Sequence, residues 1–255
     1  MKRFLAWTGL VLLLVVLGLA GVVFAAFHGL SSIEDGQELD GVEVVKDGIV
    51  ACYLVDLGAR EVALVDACND ASAKAVRQAL SRRGLGPDAV KAILLTHGDM
   101  DHVRGALAFP GAQVMALAAD VPLAEGREVR MLRWLLSPRD TGVRVARALS
   151  DGEVVDLSGV AFRVYAVPGH TRGSVAYLAR GVLFMGDSAE ATGEGALAPA
   201  KRLTSDDPAQ NRDSLAKLAA RLAPAAADVR FIAPAHSGVL AKGLAPLADL
   251  SRAPR

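Results

Sequence analysis

The sequence is compatible with an α/β domain led by a single membrane-crossing helix. Short apolar runs of strand length alternate with amphipathic helical stretches, a long uncharged segment lies near the N-terminus, and metal-capable side chains sit at successive strand ends; the alternation fits such a fold without establishing it. The 255 residues carry 28 basic and 28 acidic side chains. This balance argues against a nucleic-acid partner, whose binders are usually basic. Setting aside the first 30 residues leaves about 225, enough to bury a sizeable core without a disulfide framework or structural metal.

From Phe4 to Phe27 the chain runs 24 residues without a charge, dense in Leu and Val. At 1.5 Å per residue, a helix of that length crosses a hydrocarbon core of roughly 30 Å. Lys2 and Arg3 precede the run, and the next basic residue is Lys46. The positive-inside bias therefore leaves the N-terminus in the cytoplasm and the domain on the extracytoplasmic (periplasmic) side. A cleaved signal peptide is the alternative, with Val23-Phe24-Ala25 as its site. The run exceeds the apolar length of about 7–15 residues usual in such peptides, which favours an anchor. Residues 1–30 are thus an anchor or signal segment, 31–41 a linker, and 42–255 the domain.

Val42–Lys46, Ile49–Asp56 and Val62–Asp66 read as strands separated by turns at Asp47-Gly48 and Gly58. Ser72–Arg83 fits a helix, with Val76 and Leu80 four apart and Gly84 as its stop. Val90–Leu95 is a strand ending in the polar loop Thr96–Asp101, and Gln113–Ala116 is another short strand. Residues 127–149 look helical and irregular, broken at Ser137-Pro138. Ala161–Val167 is a strand leading into Pro168-Gly169-His170; Val175–Leu178 and Val182–Met185 form a hairpin about Gly181. Asp207-Pro208 marks the start of a helix that places Leu215, Leu218 and Leu222 on one face. Val229–Ile232 is the last strand, ending at Pro234-Ala235-His236.

Chemistry gathers at the ends of these strands. Thr96-His97-Gly98-Asp99-Met100-Asp101-His102 packs two imidazoles and two carboxylates into six residues, and His170, Asp187 and His236 each follow another strand. Such a cluster turned inward would be poorly solvated without a cation. Imidazole and carboxylate suit zinc, iron or manganese, and seven donors exceed what one tetrahedral ion takes, so two ions sharing a carboxylate fit better.

The pattern resembles the metallo-β-lactamase superfamily, with its His-x-His-x-Asp-His motif followed by a distant His, an Asp and a last His. His97, Asp101 and His102 match the first motif, with Asp99 in place of its second histidine. Pro168-Gly169-His170-Thr171-Arg172-Gly173-Ser174, Phe184-Met185-Gly186-Asp187 and Pro234-Ala235-His236-Ser237-Gly238 resemble the later motifs. Tyr53-Leu54-Val55 and Leu64-Val65-Asp66 resemble the opening hairpin. Four of the five histidines fall at motif positions.

The resemblance implies a four-layer αβ/βα sandwich. It implies two divalent ions, zinc first with iron or manganese as alternatives, on His97, Asp99 and His170 and on Asp101, His102 and His236, with Asp187 between them. It also implies a metal-dependent hydrolase in which activated water attacks an ester, thioester, lactone or amide in a small-molecule substrate. Asp101 and Asp187 would take part in catalysis, while Ser174 and Ser237 would serve as loop hydrogen-bonders. The carboxylate of Asp99 hardens the first site, keeping open an iron-dependent oxidoreductase like the family's persulfide-oxidising members. A non-catalytic, membrane-tethered metal-binding domain is the third reading.

Arg127, Arg130, Arg133, Arg139, Arg144 and Arg147 crowd one stretch. A solvated helix face with Met131, Leu132 and Leu135 inside is favoured over a lid that meets an anionic substrate or lipid headgroups. Trp134 is a candidate pocket residue and Arg172 a candidate substrate contact. Cys52 and Cys68 are offset across the first hairpin, so they can bond only if the chain doubles back after Asp66; paired and unpaired readings both stand.

Overall fold

Strand β1 (Val42–Asp47) pairs antiparallel with β2 (Val50–Gly58), which pairs antiparallel with β3 (Glu61–Val65). This computed structural model describes residues 28–130 and 135–253, besides Gly18 and Gly21. The expected N-terminal helix otherwise falls outside the described residues, as do Met131, Leu132, Arg133 and Trp134. No helix among the described residues is long and apolar enough to cross a membrane.

After β3 the backbone turns sharply, Asp66 and Cys68 taking φ of 60° and 62°, and Cys68 swings back under β2. There it forms a disulfide with Cys52, the Cα atoms 5.4 Å apart. Helix α1 (Lys74–Arg82) buries Val76, Ala79 and Leu80, and Asp70 secures its first turn by accepting from the amides of Ser72 and Lys74. Strand β4 (Val90–Leu94) runs parallel to β3 and leads to the short helix α2 (Met100–Val103). Strand β5 (Gln113–Leu117) precedes helix α3 (Val121–Ala124).

Where the sequence suggested an irregular helix over 127–149, the described residues hold no helix. They form an extended loop closing with strand β6 (Arg147–Leu149), parallel to β5. Pairing decides this: the Ala146 amide bonds the Val114 carbonyl at 2.8 Å, and Leu149 enters the core, so a sheet edge overrides helical propensity. The described arginines of this stretch sit on no common helix face. The first sheet thus has six strands in the order β1 to β6.

The second sheet begins with β7 (Val154–Leu157), paired to β8 (Val160–Ala166), then adds β9 (Val175–Ala179) and β10 (Val182–Gly186). A small ribbon of β11 (Ala189–Ala191) and β12 (Leu197–Pro199) follows. Helix α4 (Pro208–Leu222) starts as its sequence signals: the Asp207 carboxylate accepts from the amides of Ala209 and Gln210, with Pro208 in the first turn. Strand β13 (Phe231–Pro234) lies parallel to β10, two residues later than expected, because the Val229 amide closes a turn on Ala226. Helix α5 (Ala245–Arg252) ends the fold. The sheet order is β13-β10-β9-β8-β7.

The sheets face each other across one core, to which Tyr53, Val65, Leu94 and Met115 contribute from the first and Phe162, Tyr177 and Phe184 from the second. Each such large side chain contributes roughly 1.5–3 kcal/mol on burial. The first sheet's outer face packs Leu54, Leu64 and Ile93 on α1; the second's packs Leu183 and Ile232 on Leu215, Leu218 and Leu222 of α4. That is the four-layer order the resemblance implied. Residues 31–41, marked in the sequence as a linker, run along this body: the Ser31 amide bonds the Ala191 carbonyl, and Leu39 is buried in the inter-sheet core.

Candidate metal centre and active site

The ends of β3, β4, β8, β10 and β13 open onto one end of the sandwich. Asp66, just past β3, accepts from the Thr96 amide and hydroxyl, both at 2.7 Å, and stands 2.9 Å from His102 Nδ1. A carboxylate in that position selects the tautomer with hydrogen on Nδ1 and turns Nε2 inward. His236, just past β13, points Nδ1 at the Ile49 carbonyl at 2.8 Å, and since a carbonyl only accepts, its Nε2 also faces the centre.

Two glycines let the loops meet. Gly169 takes φ of 137°, and a Cβ there would collide with the Asn211 backbone at the start of α4. One on Gly186 would collide with the Thr96 side chain, so only glycine lets the end of β10 approach β4 and deliver Asp187.

The donors converge on two points. Asp187 Oδ1 is 3.3 Å from both His102 Nε2 and His236 Nε2, and its Oδ2 is 3.6 Å from His170 Nε2. Asp101 Oδ2 is 3.3 Å from His236 Nε2 and 3.8 Å from His102 Nε2. Two triads, His97 with His170 and Asp187, and Asp101 with His102 and His236, each keep their donor atoms within 4.8 Å of one another. Ligands bonded tetrahedrally to zinc at about 2.0–2.1 Å stand about 3.3 Å apart, so the spacing suits such an ion. Among the described residues, buried His97 Nε2, His102 Nε2 and Asp187 Oδ1 have no hydrogen-bond partner. Orphaned polar atoms aimed at a common point are what a cation would satisfy.

Charge is concentrated here. Burial opposes ionisation of Asp187, yet His236 and His102 outweigh it and hold the carboxyl well below the usual range. Asp101 is likewise lowered to about 2, against burial, by His236 and His102. Burial also opposes charge on the imidazoles, but Asp187 and Asp101 raise His236 to about 10, and Asp66 and Asp187 hold His102 well above its ordinary value. His170 moves the other way, lowered chiefly by burial.

Asp99 lies within 3.5 Å of His97 Nε2 and 3.3 Å of His170 Nε2, but both its oxygens are engaged by Arg130. Against burial, that guanidinium holds the Asp99 carboxyl far below its usual range. Arg130 therefore differs from Arg127, Arg144 and Arg147, its side chain 7% exposed while those three pair at the surface with Glu125, Asp140 and Glu153.

Three supporting acids carry no assignment from the sequence. Asp66 sits in a motif of the opening hairpin without a role. Asp120 accepts from the amides of Gly98 and Gly173 and the hydroxyl of Thr171, tying two motif loops together. Buried Glu190, its carboxyl raised by burial, pairs with Lys201 and accepts from Ser237. A strand-end position is the only available signal for Asp66, and nothing local marks the other two. Ser174 and Ser237 are loop hydrogen-bonders as expected, and Arg172 pairs with Glu128 at the surface. Above the centre lies a cavity of about 890 Å³, walled by Ile49, Met100, Leu123, Val129, Leu135 and Leu136, with Lys201 at its side.

Residues 45–236 match the model of the metallo-beta-lactamase superfamily. The chain belongs to that superfamily. Over 194 residues this metallo-β-lactamase-fold protein is 36% identical to a hydroxyacylglutathione hydrolase of Synechococcus sp., a match covering 71% of the chain and 63% of that relative. It thus spans less than two thirds of that relative's length. Among solved structures it resembles a metallo-beta-lactamase family protein of Thermus thermophilus, 28% identical with a TM-score of 0.59, over 84% of this chain and 79% of that one. It also superposes on a B3 metallo-beta-lactamase described as having an active-site glutamic acid, with a TM-score of 0.65 over 90% of this chain and 91% of the other. At 19% identity that likeness speaks for the fold alone.

Proposed function

We propose that the protein is a metal-dependent hydrolase of small thioesters or esters, with lactones and amides as related substrates. The observation that carries this reading is the placement of Asp187 between two sets of inward-facing imidazoles, at 3.3 Å from His102 and His236 and 3.6 Å from His170. Superfamily membership and the hydrolase relative support it. Divalent ions held here, zinc first, would bring water to ionise near neutral pH and polarise a carbonyl. Asp101, His102, His236 and Asp187 would hold one; His97, His170 and the second oxygen of Asp187 offer a further position beside Asp99.

Asp66 and the Ile49 carbonyl orient two of the imidazoles. Asp101, partly open to the cavity, would hold an ion through Oδ2, and its other oxygen is the one placed to pass a proton to the leaving group. The apolar side chains of Ile49, Met100, Leu123, Val129, Leu135 and Leu136 beside the centre offer contacts to an uncharged acyl group. Asp99 raised the prospect of iron chemistry through a hard ligand; with both its oxygens on Arg130, hydrolysis is the better-supported reading.

Full-length chain, stripped by a chelator and reloaded with zinc, should regain turnover of acyl thioesters in proportion to the metal returned. Turnover that persists after complete removal would refute the reading.

We also propose that residues 4–27 anchor the domain outside the cytoplasm. The length of the run and the flanking Lys2 and Arg3 support this, as does the Cys52–Cys68 bond, since disulfides persist in oxidising compartments. A C-terminal phosphatase reporter that works only after export should be active on this chain. A silent reporter on an expressed fusion would contradict it.

A further inference from the structure

The two halves of the candidate metal centre are not equally open to a cation. On the side of Asp101, His102 and His236, the imidazoles are turned inward by a carboxylate and a carbonyl, and the Asp101 carboxylate faces both of them. On the side of His97 and His170, a guanidinium stands among the donors. Arg130 Nε bonds Asp99 Oδ1 at 2.6 Å while Nη2 bonds Asp99 Oδ2. The same Nη2 lies 3.1 Å from His170 Nε2, the atom that would face an ion. Nη1 is fixed from behind by the carbonyls of Thr204 at 2.6 Å and His170 at 3.3 Å, and by Asp206 at 3.4 Å.

We propose that Arg130 takes the electrostatic place of one metal ion, so that the protein holds a single tightly bound divalent ion on Asp101, His102, His236 and Asp187. This rests on the metal-centre reading above and goes beyond it. Donor count is the first argument. A metal position needs about three protein ligands. The first half retains His97 Nε2 and Asp187 Oδ2, because Asp99 and His170 Nε2 already face the guanidinium.

Charge is the second argument. An arginine cannot shed its proton, so its charge is permanent and repels a divalent ion a few ångströms away, while it neutralises the carboxylate that would attract one. Permanence is the third. The side chain is 7% exposed and held by acceptors from three separate segments, so displacing it would strand several buried carbonyl and carboxylate oxygens. In this arrangement Arg130 is a positioning residue: it fixes Asp99 and sets the number of ions.

The test counts metal. Full-length chain stripped with a chelator is titrated with Zn²⁺ by calorimetry, and the metal retained after desalting is measured by elemental analysis. Wild type should retain one ion per chain, a second binding at least ~100-fold more weakly. In Arg130→Gln the second should tighten to within about tenfold of the first, while Arg130→Lys, which keeps the charge, should still retain one. Two tightly held ions in wild type would overturn the inference and leave the metal-centre reading standing; so would a folded Arg130→Gln that still retains only one. No retained ion in wild type would overturn both. Should Arg130→Gln fail to fold, Co²⁺ titration of wild type decides. A visible spectrum saturating at one equivalent without magnetic coupling supports the inference, and a coupled pair of ions refutes it.

Discussion

His102 and His170 are both buried imidazoles with Nε2 at the centre, yet their surroundings differ. His102 Nδ1 rests on a buried carboxylate at 2.9 Å, whereas His170 Nδ1 has a serine hydroxyl at 3.4 Å and its Nε2 meets a guanidinium. One half of the centre is built to present basic nitrogens to a cation, the other already contains a fixed positive charge. Identical residue types therefore do not make equivalent sites: the atoms behind each ring decide what the ring can do.

Several substitutions would break or sharpen this contrast. Asp187 serves both halves, so Asp187→Ala should lower kcat/KM by roughly 10³-fold, as expected when a group central to charge stabilisation is lost. Thioester turnover near the wild-type rate would refute its place between them. Removing the support of one half only, Asp66→Asn should weaken zinc binding by about 10–100-fold, measured by competition with a chromophoric chelator. Ser205→Ala, behind His170, should change it less than about threefold by the same comparison. Equal losses in the two variants would erase the asymmetry.

The loop carrying Asp66 is braced by the Cys52–Cys68 bond, which spans 16 residues. Replacing both cysteines with alanine should cost about 3 kcal/mol in chemical denaturation, and the loss of metal affinity should track the Asp66 half. Unchanged unfolding midpoints would show that the bond braces nothing.

The mildest test uses pH on chelator-stripped protein. His102 is raised above its ordinary value and His236 to about 10, against about 6.5 in the unfolded chain. Protonated imidazoles beside Asp187 therefore contribute stability that is complete below about pH 6.5 and lost as pH rises through about 10. The apparent Tm should fall across that window without metal. Zinc affinity should rise with pH instead, because binding expels those protons. A stripped-protein Tm flat from about pH 6.5 to 10 would contradict the charge distribution described for this half.

Much of this centre was legible from residue order. His97, Asp101, His102, His170, Asp187 and His236 each end or follow an apolar run, and the strands do deliver them to one place. Cap and periodicity at Asp207, Leu215, Leu218 and Leu222 located α4 because those signals are local. The Arg130–Asp99 contact spans 31 residues through a loop without periodicity, so six arginines look alike until the chain path is known. Residues 127–149 read as helical for the same reason: β6 owes its conformation to β5, a partner that periodicity within the segment does not report. The offset of Cys52 and Cys68 could be read, but not the left-handed turn at Asp66 and Cys68 that removes it.

The carboxylate of Asp120 has a wider consequence. By clasping Gly98, Thr171 and Gly173 at once, it locks one flank of the mouth into a frame that substrates cannot easily remould. On the opposite flank Arg130 is held by Asp99 and Thr204 and Thr141 by the Ala124 carbonyl, while Leu135 and Leu136 are exposed. Shifts in diet during evolution would fall there, among Leu135, Leu136 and Arg139, where new side chains can be tried without loosening the machinery beneath.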